Sequence, residues 1–358
     1  MKLAFYAPMK PPDDPVPSGD RTIARALRQA LAEMGVETEV PSSLRSRDGK
    51  GDQKRQAQIM QAAKLEVDRC IGLGRTSGWQ AWITYHNYYK APDLVGPYVA
   101  RALGIPYLQV ESTRARKRLH GDWEAYAHAA EAATDAADVV FYFSHRDAIG
   151  LEENQPAGQT LVHLKPFLQR TDLPYATEGF GPLIAVGMMR EGDKLASYAL
   201  IAEALALLQR DEWQLYIAGD GPARAKVEAM MAPFGERVQF LGELSSDGLS
   251  DLYQSARILL WPGVNEALGL VYLEAQAHGL LVVAQDRPGM RDVLAPGEYP
   301  AVEEGAAGLA RVLEQQLRES CTSQAEIMRI RDYTSENNLM PSAVATLKYG
   351  LSIAGVTA

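Results

Sequence analysis

Apolar and polar positions along this chain fall into two alternating rhythms. Short apolar runs recur between longer stretches whose apolar positions repeat at helical spacing. LAFYAP (Leu3–Pro8) reads as a first strand, followed by the loop PPDDPVPSGD. In TIARALRQALAEMGV, the residues Ile23, Leu27, Ala30, Leu31 and Met34 share one helical face, and Gly35 ends the helix. VETEV, AWITYH (Ala81–His86), PYLQVE (Pro106–Glu111), DVVFYFS (Asp138–Ser144) and TLVHLKPFL (Thr160–Leu168) continue the strand series. Strands alternating with helices predict right-handed βαβ units and a mostly parallel sheet.

KPFLQRTDLPYATEGFG (Lys165–Gly181) is rich in Pro and Gly, has no clear period and reads as an interdomain linker. The series then restarts with PLIAVGM, QLYIAGDG, RVQFLGEL, ARILLWPG and LLVVAQD as strands. A final helical stretch begins at about Glu336. The expected fold class is α/β, with two doubly wound, Rossmann-like domains over 1–170 and 171–335 facing a central cleft. Ligands of such sheets bind beyond the carboxyl ends of the strands, so the strand-end loops are where function is expected.

Composition narrows the classes. A chain of 358 residues fits two domains better than one. No apolar run approaches the ~18 residues of a membrane span, and the N-terminus reads as a buried strand, not a signal peptide. Two cysteines, Cys70 and Cys321, give neither a disulfide framework nor zinc spacing, so a reduced, cytoplasmic setting is expected. A net charge of −9 argues against nucleic acid as a partner. The charge is uneven. Residues 1–172 hold 22 Lys+Arg against 21 Asp+Glu, and the remainder 14 against 24. The first half also contains RARKR (Arg114–Arg118), which leaves room for peripheral contact with an anionic membrane surface on its inner face, or for a solvated helix face.

Several strand-end loops contain glycine and precede helices. PSGDRT places Gly19 beside the capping candidates Ser18 and Asp20, where a helix start can take a diphosphate. It is not a dinucleotide fingerprint. GMMREGDK brings Gly187, Arg190 and Lys194 to a strand end, where cations suit a leaving diphosphate. AGDGPAR adds Gly219, and QFLGEL ends at Gly242. NEALGLVYLEAQAHGLLVVA carries Glu266 and Glu274, eight positions apart. Such a pair can serve acid–base chemistry, a metal, or the wet face of a helix. About 12 Å apart along a helix, the two are too distant to share a proton. An unpaired Glu274 on a helix of apolar neighbours would be costly.

Taken in order, IAVGM…K, LYIAGDGP, VQFLGEL, the strand ending WPG, and NEALGLVYLEAQAHGLLVVA resemble the C-terminal half of family-4 glycosyltransferases. These have the GT-B architecture of two Rossmann-like domains. The resemblance spans roughly Pro182 to Leu294, and the first half matches in layout. It implies a retaining transfer from a nucleotide-diphosphate sugar, which is a substrate, with no cofactor. Glu266 would contact the transferred sugar. The N–H groups around Ala267, Leu268, Gly269 and Leu270 would approach sugar and phosphate. Glu274 would hold the ribose hydroxyls, Lys194 the diphosphate, Phe240–Gly242 the base, and Gly19 the phosphates. His86 would lie near the sugar. The last helix, about 336–358, would pack back on the first domain.

This chain departs from the family where Gly187-Met188 replaces a usual Gly-Arg pair, with Arg190 two residues on, and where Glu111-Ser112 follows PYLQV in place of a His. The resemblance implies a same-face displacement in which the leaving phosphate takes the acceptor's proton. No D-x-D triplet occurs, so metal-independent transfer is expected. A nucleotide-sugar 2-epimerase and a catalytically impaired nucleotide-sugar-binding protein are the alternatives. The acceptor, glycan, lipid-linked or small, is open, with Pro8–Ser18, the region around Arg45–Lys54 and Glu111–Trp123 as its candidate loops.

Overall fold

The computed structural model describes every residue except Pro17, Ala267, Thr357 and Ala358. The chain divides into two compact units, Met1–Lys165 with Met340–Ala358, and Pro166–Leu339. The first unit runs β1 (Lys2–Tyr6), α1 (Gly19–Glu33), β2 (Glu37–Glu39), α2 (Gln53–Ser77), β3 (Trp82–Asn87), α3 (Gly96–Leu103), β4 (Tyr107–Ser112), α4 (Glu124–Asp135), β5 (Val139–Tyr142), α5 (His145–Glu152) and β6 (Thr160–His163). Its strands pair in parallel in the order β2-β1-β3-β4-β5-β6. Leu3 to Tyr6 are all buried, as expected of a parallel strand covered on both faces. The order reverses between β1 and β3, so their carboxyl ends form a switch point.

Ser18 caps α1, its hydroxyl accepting from the Arg21 N–H, and the helix buries Ile23, Ala24, Ala26, Leu27, Ala30 and Leu31. The long α2 carries a less deeply buried stripe. Gln56, Ala63 and Cys70, spaced seven apart, are buried on it, and Ile59, Met60, Val67 and Ile71 pack half-buried beside them, which is helical spacing. It starts where Asp52 accepts from the Lys54 and Arg55 N–H groups, which ends the expected acceptor loop there. β6 stops at His163, short of the predicted Leu168; Pro166 has no N–H to continue a ladder.

The second unit runs β7 (Leu183–Val186), α6 (Asp193–Ala206), β8 (Leu215–Ala218), α7 (Arg224–Met231), β9 (Val238–Gly242), α8 (Ser246–Ser255), β10 (Ile258–Leu260), α9 (Leu270–His278), β11 (Leu281–Val283), α10 (Gly305–Gln316) and α11 (Gln324–Asn338). Its parallel order is β11-β10-β7-β8-β9, so the switch point lies between β7 and β10. The core beneath includes Trp261, Tyr198, Tyr272 and Leu259, all fully buried.

The last helix, α12 (Met340–Ile353), belongs to the first unit and packs on α1, β5 and β6. It starts later than Glu336, which lies inside α11. Leu339 is extended between the two helices, and Pro341 has no N–H with which to continue α11 but is tolerated in the first turn of α12.

Candidate functional site

At the switch point of the second unit, β7 hands over to the loop Gly187–Gly192 and β10 to the loop that begins at Trp261. Lys194, on the first turn of α6, reaches across to Glu266, with Nζ 2.6 Å from Oε2. The Trp261 indole N–H donates to the same carboxylate oxygen at 3.2 Å. The Lys194 ammonium also lies 5.2 Å from the centre of the Trp261 ring. The loop is tied down on both sides of Glu266. The Val264 N–H donates to Ser197 Oγ at 3.1 Å, and the Asn265 amide donates to Asp193 Oδ1 at 2.9 Å. Asn265 adopts a left-handed φ of 46°, a region Asn tolerates better than most residues.

Gly269, with φ 62°, precedes α9 and caps it with no side chain. Tyr272 and Leu273 donate to its carbonyl. Leu270 opens the helix, and a helix start is where a phosphate finds N–H donors, although that of Tyr272 is already bonded to Gly269. Leu268 is half-buried in the approach to that turn. The Ala267 N–H, a predicted contact, lies outside the described residues.

Glu274 is not unpaired. The Tyr253 hydroxyl on α8 donates to its Oε2 at 3.0 Å, and Tyr253 is stacked on His278. Burial holds the Glu274 carboxyl above the ordinary carboxylate range, partly offset by the Tyr253 bond. The same setting pushes His278 down to about 4, chiefly through desolvation. Glu266 and Glu274 therefore have separate partners: an ammonium and an indole for one, a phenol for the other. Neither belongs, among the described residues, to a cluster of three His, Cys, Asp or Glu side chains able to hold a metal.

The glycine-rich strand ends have a packing cause. A Cβ on Gly187 would lie 2.6 Å from Trp261 Cη2, and one on Gly219 would lie 2.0 Å from the Gly187 carbonyl oxygen. The Gly187 N–H donates to the Ala218 carbonyl and the Gly219 N–H to that of Gly242. These glycines knit three strand ends together, and the N–H groups of Gly187 and Gly219 already have partners. Met188 is 51% exposed. Arg190 is exposed too, and among the described residues nothing holds its guanidinium, in contrast to Lys194.

The first unit has its own strand-end cluster at the β1/β3 switch point. His86 Nδ1 lies 2.9 Å from Asp20 Oδ1 and 3.9 Å from Glu111 Oε2. His86 and Glu111 both adopt positive φ, 66° and 59°, which is uncommon outside glycine. Burial pushes the His86 pKa down, but Glu111 and Asp20 outweigh it and the net shift is upward. Burial raises the Glu111 carboxyl. Sequence reasoning named His86 but not this cluster. The signal was Ser18: it caps α1 and leaves Asp20 for His86. Gly19, beside them, has open space where a Cβ would be.

RARKR does not form one solvated face. The Arg114 side chain is 2% exposed and bridges Glu131 at 2.5 Å and Asp135 at 2.7 Å. Arg118 instead lies over Tyr89, which meets Trp123 edge-on, with Lys90 over both rings.

Comparison with known proteins places these features. Residues 182–319 match the family described as glycosyl transferases group 1. A GDP-mannose-dependent alpha-mannosyltransferase of Mycolicibacterium smegmatis is 34% identical over 29% of this chain and 26% of its own length. A D-inositol 3-phosphate glycosyltransferase of Salinispora tropica is 26% identical over 70% of this chain and 60% of its own length. The chain thus spans less than two thirds of both relatives. Among solved structures, a sucrose-phosphate synthase from Thermosynechococcus elongatus superposes with a TM-score of 0.68 at 18% identity, covering 97% of both chains. The fold is GT-B, built of two parallel-sheet α/β units. No helix among the described residues is long and apolar enough to cross a membrane.

Proposed function

We propose that this protein is a retaining glycosyltransferase that moves a sugar from a nucleotide-diphosphate donor to a hydroxyl acceptor without a metal. The observation that carries the reading is the meeting of Lys194, Trp261 and Glu266 at the switch point of the second unit, one short loop before α9. A leaving diphosphate needs cationic and N–H donors, and this edge offers Lys194 and the first turn of α9. Glu266 accepts from sugar hydroxyls and Glu274 from the ribose, both as charge-assisted bonds. Phe240–Gly242 borders the base, and Arg190 is a second, exposed cation for the phosphates.

In this reading the bond from the anomeric carbon to the phosphate oxygen breaks while the acceptor oxygen bonds to the same face. The acceptor's proton passes to the leaving phosphate oxygen. Lys194 and the helix start stabilise the charge that develops there, the role a divalent cation would otherwise take. The first unit takes the acceptor through its strand-end residues, with His86 held by Asp20. Its Tyr89, Lys90, Arg118 and Trp123 surface suits peripheral contact with an anionic membrane. The named activities of the two relatives, both sugar transfers, support the class of reaction.

The test is release of nucleoside diphosphate from UDP-, GDP- and ADP-sugars in excess EDTA, with soluble and lipid-linked polyols as acceptors. One donor is expected to be consumed, and NMR of the product should show the donor's anomeric configuration. Activity lost in EDTA and restored by magnesium contradicts the metal-independent part. An inverted product contradicts retention.

A further inference from the structure

Trp261 is a buried aromatic at a strand end, and its surroundings on four sides are specific. The indole N–H donates to Glu266 Oε2 at 3.2 Å, and the ring carries the Lys194 ammonium over its face at 5.2 Å. The Tyr198 ring meets it edge-on at 5.3 Å and 81°, while the Tyr198 hydroxyl donates to the Gly187 carbonyl at 2.7 Å. Gly187 lies so close that no side chain fits between them, and the Trp261 carbonyl accepts from the Tyr272 hydroxyl at 3.0 Å. The ring is fully buried, so it has no second orientation to take up.

Glu266 Oε2 therefore accepts from two donors of unequal mobility. One is an ammonium on a flexible four-carbon stem; the other is a clamped indole. An incoming diphosphate competes with Glu266 for Lys194, because both are anions. It has no such claim on the indole N–H, which is buried behind the carboxylate. We propose that Trp261 is a positioning residue: it keeps Glu266 in place when Lys194 turns to the diphosphate, and leaves the other carboxylate oxygen for a sugar hydroxyl. The consequence for turnover rests on the glycosyltransferase reading; the indole–carboxylate bond does not. Near-attack geometry is sensitive, since a misplacement of about 1 Å can cost ~10²-fold in rate.

The experiment replaces Trp261 by β-(3-benzothienyl)alanine at a suppressed stop codon, which puts sulfur in place of N–H and keeps the shape, with W261F beside it. Donor turnover is expected to fall about 10- to 100-fold in kcat, while the Kd for the nucleoside diphosphate that wild type binds stays within about threefold. In 15N-tryptophan-labelled protein, the indole resonance missing from W261F is expected to shift in E266A. A role in packing alone would lower stability without separating kcat from Kd. A benzothienyl variant with wild-type kcat, or an indole resonance unmoved by E266A, overturns the proposal. Wild type that binds none of UDP, GDP and ADP overturns the glycosyltransferase reading instead, and the resonance then decides the indole–carboxylate bond by itself.

Discussion

Lys194 and Glu266, 72 positions apart in the chain, meet at 2.6 Å between Nζ and Oε2 at the β7/β10 switch point. The contact joins the start of α6 to the loop before α9, and it brings opposite charges to the edge where open α/β sheets bind ligands. K194A should lower donor kcat/KM by about 10²–10³-fold, the usual loss when one donor to a developing oxyanion is removed. E266Q should act mainly on kcat. Steady-state kinetics with the accepted donor checks both, and a K194A enzyme within a few-fold of wild type would remove Lys194 from the diphosphate.

Glu274 makes a stability prediction with an unusual sign. Its carboxyl is raised by burial, so the folded state holds this proton more tightly than the unfolded chain does. The stability linked to it is complete below the ordinary value of 4.5 and is lost as pH rises through the folded value. E274Q should therefore melt at or above wild type at pH 7, and the difference should vanish near pH 4. Donor binding should move the other way, weakening about 10- to 100-fold, in line with ~1.5–3 kcal/mol for a charge-assisted bond. Thermal melts at both pH values test the sign.

His86 also has a raised pKa, because Glu111 and Asp20 outweigh its burial. The stability it supplies is full below 6.5 and is lost as pH rises through the folded value. Urea unfolding of H86Q should show a flatter pH dependence above 6.5 than wild type. An NMR titration placing His86 below 6.5 would contradict this.

Gly187 tests the strand-end packing. G187A puts a methyl group 2.6 Å from the Trp261 ring, where Tyr198 prevents retreat, and should cost ~1–3 kcal/mol as an overpacking change. Urea midpoints measure it. Gly19 is the control: G19A has open space and should leave stability nearly unchanged.

The sequence shows these features unevenly, and the reasons are physical. The parallel strand over Leu3–Tyr6 is buried on both faces, so it reads as an apolar run, closed by Pro8. α2 is fainter because only Gln56, Ala63 and Cys70 are buried on it, but Ile59, Met60, Val67 and Ile71 complete a stripe at helical spacing. Lys194, Glu266 and Glu274 are legible as polar residues at strand ends and on an apolar helix. Their partners are not: Tyr253 lies 21 positions from Glu274, and Trp261 looks like any core aromatic until its N–H is seen on Glu266. Arg114 misleads in the opposite direction, since a basic run conceals a buried ion pair with Glu131.

The central claim is that the second unit holds a nucleoside diphosphate through Lys194 and Glu274. Calorimetric titration of UDP, GDP and ADP into wild type, K194A and E274Q tests it most directly. One of the three should bind wild type, with affinity falling at least tenfold in each variant. No binding by wild type, or equal affinity in all three proteins, would contradict the account.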